Sequence, residues 1–146
     1  MHLIDLTVAH AIPAKPEEIF DLWLDADSPG GPWFGVERVL LQPVVDGLFY
    51  MAVKNEGRSW PHYGRFLRIE RPRRIEYTWL SEATGGHETL VTVTFEPHGE
   101  QTTVTLHHAG VPDDERGRQH REGWSWMLSM LAQRFAARPP GSDARP

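Results

Sequence analysis

The sequence predicts an α+β fold: a curved antiparallel sheet of about six or seven strands wrapped around a long C-terminal helix, with a short helix after the first strand. Three observations carry this. From Pro112 to about Ala137, Gly117, His120, Trp124, Leu128, Leu131 and Phe135 recur at steps of three or four, so they share one helical face, which Met127 widens. Upstream, short segments of period-two alternation are separated by tight turns, and short turns force antiparallel neighbours. Such a sheet cannot leave its apolar face bare, and the C-terminal helix is the only large apolar partner available.

The first strand spans residues 3–12, with Ile4, Leu6, Val8 and Ile12 inward. Pro13 to Pro16 breaks it. Pro16 suits a first helical position, Glu17 and Glu18 suit the positive end of the dipole, and Ile19, Phe20, Trp23 and Leu24 give a short amphipathic helix. Asp25 to Pro32 reads as loop or broken helix, followed by the apolar island Trp33-Phe34-Gly35. Val36–Val45 and Gly47–Lys54 hold the next two strands, the second with Phe49, Met51 and Val53 on one face. After the Asn55-Glu56-Gly57 turn, Trp60–Arg71 is a longer strand in which Gly64 marks a bulge or a close backbone approach. Phe66 depends on the register there. Pro72-Arg73 turns the chain into Arg74–Leu80, with Ile75, Tyr77 and Trp79 together. Ala83–Gly86 is a turn. Glu88–Glu96 follows with Val91, Val93 and Phe95 inward. A turn over Pro97–Gln101 leads to Thr102–Ala109, with Val104, Leu106 and His108 on one face. Pro112 sets the entry of the long helix, and Asp113, Asp114 and Glu115 charge its first turn. The tail, residues 138–146, lacks large apolar residues and is expected to be disordered, leaving one domain over residues 1–137.

Composition narrows the function. No cysteine is present, which excludes disulfides, thiolate metal sites and cysteine nucleophiles. Fifteen basic against twenty acidic residues give −5, which argues against a general nucleic-acid binder. No apolar run approaches a membrane span, and the N-terminus is too short and polar for a signal peptide, so a cytoplasmic location is expected.

The segments Ala14-Lys15-Pro16-Glu17-Glu18-Ile19-Phe20, Trp33-Phe34-Gly35, Gly64 with Ile69-Glu70-Arg71-Pro72, Tyr77-Thr78-Trp79, Leu90–Phe95 and His120-Arg121-Glu122-Gly123-Trp124 occur in a telling order and spacing. Through them the chain resembles the START-like (SRPBCC) superfamily of helix-grip proteins, in the branch resembling the C-terminal domain of the activator of Hsp90 ATPase. The resemblance covers nearly everything from Val8 to Phe135. It implies a cavity between sheet and helix. Where the family has a glycine pair before the third strand, this chain has Asp46-Gly47. The family shares a scaffold and no single function.

The histidines are the first candidates for chemistry. His107 and His108 are adjacent on a strand and point to opposite faces, while His62, His87 and His98 sit near predicted strand ends or turns. No HExxH occurs, and no metal site or cofactor is expected. His108 and His120 face the interior and are the candidates for acid/base work, against a purely packing role that the family's His-x-x-Gly-Trp pattern also explains. Gly123-Trp124-Ser125 lacks the rest of a nucleophile elbow and lies mid-helix. Gly123 is expected to let the helix approach the sheet. The Arg71, Arg73, Arg74 cluster reads as a solvated edge. For ligand contact the candidates are Trp23, Phe49, Met51, Tyr77, Trp79, His108, Trp124 and Met127, with plain core packing as the competing account of each.

Three functions stay open. One is binding of a hydrophobic small molecule in the cavity. Another is a cyclase- or hydrolase-type enzyme using that cavity. The last is a chaperone-related protein-interaction module. A homodimer is compatible with all three, and no segment specifies one.

Overall fold

A computed structural model describes residues 2–25, 27, 32–33 and 36–137. Most of the 25–32 loop, Phe34-Gly35 and the tail 138–146 lie outside the described residues. The elements run β1 (Leu3–Ile12), α1 (Pro16–Trp23), β2 (Arg38–Leu41), β3 (Leu48–Asn55), β4 (Arg58–Glu70), β5 (Arg74–Ser81), a single 3-10 turn (Glu82–Thr84), β6 (Thr89–His98), β7 (Gln101–Pro112) and α2 (Glu115–Ala136). The sheet is antiparallel, with seven strands in the order β1-β7-β6-β5-β4-β3-β2. It curves around α2 as a helix-grip fold.

Alternation places the core. Val91, Val93 and Phe95 from β6, Val104, Leu106 and His108 from β7, and Ile75, Tyr77 and Trp79 from β5 are all buried on one face. From α2, Trp124, Met127, Leu128 and Leu131 meet them. Helix α1 seals one end: Phe20 and Trp23 pack edge-on against Phe95 at 5.3 and 5.7 Å between ring centroids. Arg71, expected on a solvated edge, is exposed but holds Asp21 of α1 through two hydrogen bonds of 2.8 and 2.9 Å.

Several expectations need correction. The second strand is short, Arg38–Leu41, because only these residues pair with β3. Pro112 belongs to β7, where it pairs with Leu3, so it does not open the helix. Asp114 caps α2 instead, its Oδ1 accepting from Gly117 N at 2.7 Å. Pro97 and Gln101 are paired strand residues, and the turn is confined to Gly99-Glu100.

The glycines divide by geometry. A Cβ on Gly64 would lie 2.1 Å from the Thr78 carbonyl oxygen and 2.3 Å from the Phe49 ring, so this is the close approach, and the register shift falls later, between Phe66 and Arg68. Gly123 does not face the sheet. A Cβ there would meet nothing within 4 Å, whereas at Gly117 it would lie 1.8 Å from the Pro112 oxygen. The helix turns about 100° per residue, so Gly123 lies beside Trp124 in sequence but outside its face. At the missing glycine, Asp46 itself takes the left-handed φ of 68°, a conformation aspartate tolerates better than most residues.

Candidate functional site

An open cleft of about 270 Å³ lies between the β3–β4 hairpin, the 3-10 turn and the first turns of α2. The hairpin contributes Val53, Asn55, Trp60 and His62, the turn contributes Ala83, and the helix contributes Arg116, Gln119 and His120. Alternation along β4 explains the hairpin's share. Trp60, His62, Gly64 and Phe66 stand at steps of two and therefore face the same way.

The eight residues read from the sequence as ligand contacts lie deeper. Trp23, Phe49, Met51, Tyr77, Trp79, Trp124 and Met127 belong to one buried cluster, and the buried His108 packs against its Trp79 and Trp124 rings. Their rings touch one another: Phe49 meets Tyr77 at 5.3 Å, and Trp79 meets Trp124 at 4.9 Å. Trp23 Nε1 donates to Tyr77 Oη at 3.4 Å, and burial pushes the Tyr77 hydroxyl pKa up. None of the eight lines the cleft. The two sets meet at its inner wall, where the His62 ring lies 4.8 Å from Trp79 and the His120 ring 5.0 Å from His108.

His108 is fully spoken for. Trp124 Nε1 can only donate, and it reaches His108 Nδ1 at 3.0 Å. The proton therefore sits on Nε2, which lies 2.7 Å from Thr89 Oγ1. The Thr89 hydroxyl donates onward to the Trp79 carbonyl at 2.6 Å. Burial, with the neighbouring His120 and His107, lowers the His108 pKa to about 3, so the ring is neutral at pH 7. Both nitrogens are engaged within the protein.

His120 differs. Its Nδ1 lies 3.0 Å from the Gly117 carbonyl, which can only accept, so Nδ1 carries the proton and Nε2 carries a lone pair. Burial lowers its pKa, and nearby backbone oxygens and Asp114 partly oppose this. His62 is neutral too, lowered to about 4 by burial and then by His120. His62 Nδ1 and Trp79 Nε1 are buried and make no hydrogen bond of good geometry among the described residues, although the Trp60 and Met51 backbone lies close enough to His62 to oppose part of its shift. The sequence alone places His62 near a strand end, whereas it lies within β4. The step-of-two pattern through Phe66 was the available signal, and the undetermined register hid it.

A polar rim crosses the mouth. Glu82 accepts two hydrogen bonds from Arg58 Nη2, at 3.0 and 2.9 Å, and a longer one from Arg116 at 3.4 Å. The Arg58 guanidinium stacks 3.7 Å above the Trp60 ring, with Arg116 at 5.4 Å. Among the described residues no group of three or more His, Asp or Glu side chains is placed to hold a metal ion. Among the same residues no helix is long and apolar enough to cross a membrane.

Residues 13–136 match the family model described as Activator of Hsp90 ATPase homolog 1-like protein. The chain belongs to this family. No curated protein matches it significantly. Among solved structures, protein CV1439 from Chromobacterium violaceum superposes with a TM-score of 0.75 at 20% identity, over 92% of this chain and 99% of that one. DynU16, a protein of the dynemicin biosynthetic locus, gives 0.71 at 19%, over 95% of this chain and 50% of that one. The Aha1 dimer from Colwellia psychrerythraea gives 0.69 at 16%, over 92% and 97%. Likeness at these identities establishes the START-like fold of this Hsp90-activator-like family member and leaves its chemistry to its own residues.

Proposed function

We propose that this protein binds a largely apolar small molecule in the cleft between the β3–β4 hairpin and α2. One observation carries the reading. The His62 ring at the inner wall holds a buried Nδ1 that makes no hydrogen bond among the described residues, and it packs against Trp79 behind it, whose buried Nε1 likewise makes none among them. Such an atom costs roughly 1–3 kcal/mol when left unpaired, and a ligand whose polar group reaches the His62 ring offsets that cost. The cleft is at the small end of ligand-site volumes, which suits a molecule of one or two rings. DynU16, from a biosynthetic locus, lends the reading support by fold alone.

The six tryptophans make the test direct. Each indole N–H gives one resonance in a proton–nitrogen correlation spectrum. Adding compounds from a panel of small aromatics should move the Trp60 and Trp79 signals first and leave Trp126, which lies on the outer side of α2, in place. A panel in which nothing moves Trp60 or Trp79 would sink the proposal. Native mass spectrometry of the purified protein complements this by revealing any adduct carried from the cell.

An enzymatic use of the same cleft would rest on His120, not His108. Of these two, His120 lines the cleft and His108 does not, and His120 Nε2 is free of the hydrogen-bonded chain that occupies both nitrogens of His108.

A specific observation also favours the protein-interaction reading. On the outer face of the sheet, Leu40, Tyr50 and Tyr63 pair across three strands, with Leu48 beside them. Leu40 and Leu48 are 52% and 61% exposed. The Colwellia psychrerythraea relative, a dimer, makes a second copy the natural first partner to test. Sedimentation velocity should then show a dimer that Leu48→Lys splits, and a concentration-independent monomer would count against it.

A further inference from the structure

We infer that the cleft selects an apolar anion, specifically a small hydrophobic carboxylate, whose charged group is received by Arg116. This rests on the binding reading above and specifies its ligand.

The first argument is charge. Among the described residues that line the cleft, only Arg116 carries a formal charge, and none is a carboxylate. Its neighbours Asn55 and Gln119 are amides, which add neutral donors. Arg116 is thus the cation on an apolar wall of Val53, Trp60 and Ala83, held only by a long ion pair to Glu82 at the rim.

The second argument is the helix. With Asp114 as N-cap, Arg116 is the second residue of α2. The helix dipole places positive charge there, so a cation at that position is unfavourable and an anion is favourable. The ion pair of Arg116 with Glu82 and its place beside Trp60 offset part of that cost. An incoming carboxylate would gain from both the guanidinium and the dipole.

The third argument is availability. Glu82 is committed to Arg58 by two short hydrogen bonds, and its contact with Arg116 is the long one, 3.4 Å. Arg116 lies 5.4 Å from the Trp60 ring, farther than Arg58. It can therefore turn to a ligand without breaking the Arg58–Glu82 pair. Trp60, already flanked by two guanidiniums, supplies the apolar floor beside the charge.

The experiment compares two probes of one shape, 1-naphthoate and 1-naphthalenemethanol, titrated by the Trp60 and Trp79 indole resonances at low salt. The naphthoate should bind about tenfold more tightly. Arg116→Gln should abolish the preference, weakening the naphthoate about tenfold relative to the alcohol, and the indole resonances of the variant report directly that it is folded. Half-molar sodium chloride should shrink the preference in the native protein. Equal affinity for the two probes, or a preference that survives Arg116→Gln, overturns the anion inference and leaves the binding reading standing. If neither probe moves either indole, both fall.

Discussion

His108 shows what a single residue contributes. It joins β7 to β6 and α2 through a chain in which every proton has an assigned place: Trp124 to His108, His108 to Thr89, Thr89 to the Trp79 carbonyl. Replacing it with leucine orphans an indole N–H and leaves the hydroxyl of Thr89 without its donor, both buried. We expect His108→Leu to cost roughly 2–4 kcal/mol in urea unfolding, and Thr89→Val less, about 1–2 kcal/mol, since it breaks one end of the chain. A loss below 1 kcal/mol for His108→Leu would refute the network as a source of stability. The inward face of His108 was legible, because β7 alternates cleanly. Its partners were not, because Thr89 becomes its neighbour only through the β6–β7 register, which pairs Val91 with His108. His62 escaped for a related reason: Gly64 interrupts the side-chain pattern that would have declared its face.

At the scale of the element, α2 poses one substitution with two opposite outcomes. At Gly123, alanine enters open space and adds helix propensity, so it should raise stability by about 1 kcal/mol. At Gly117, the same methyl would collide with the Pro112 carbonyl at the junction of strand and helix, and should lower the melting temperature clearly. Thermal unfolding of the two variants side by side decides the matter, and a common sign would contradict the geometry. The stripe of three-and-four spacing foretold which residues of α2 enter the core, and burial of Trp124, Met127, Leu128 and Leu131 follows it. It did not foretell the start. Pro112 reads as a helix opener, yet a proline also serves at the last position of a strand, and pairing with Leu3 decides for the strand.

For the molecule as a whole, acid is the informative variable. His62 and His108 titrate at about 4 and 3 in the folded state, against 6.5 when unfolded. Between those values the unfolded chain binds more protons, so stability present above pH 6.5 is lost as the pH falls. By pH 5 each imidazole should account for about 2 kcal/mol of lost stability. His62→Phe should flatten the slope of unfolding free energy between pH 7 and 5, and an unchanged slope would show that His62 is not the group responsible. Period-two alternation and turn residues made the sheet and its grip on α2 legible, because both are local signals. The cleft was not, because it assembles Val53, Ala83 and His120 from elements far apart in sequence, and only the curvature of the sheet brings them together.

The neighbours in the sheet follow chain order everywhere except at β1, which lies beside β7, with Leu3 opposite Pro112 and Ile12 opposite Thr102. That one seam sets a timetable. Every other pairing joins strands adjacent in sequence and closes a short loop, while this one must bring together the two ends of nearly the entire domain. The last strand must therefore leave the ribosome before the first can find its edge, and α2, packed over β1 and β7, can dock only after them. Such non-local closure places the protein among the slower folders of its size, in the millisecond-to-second range, with an unpaired β1 awaiting its partner during synthesis.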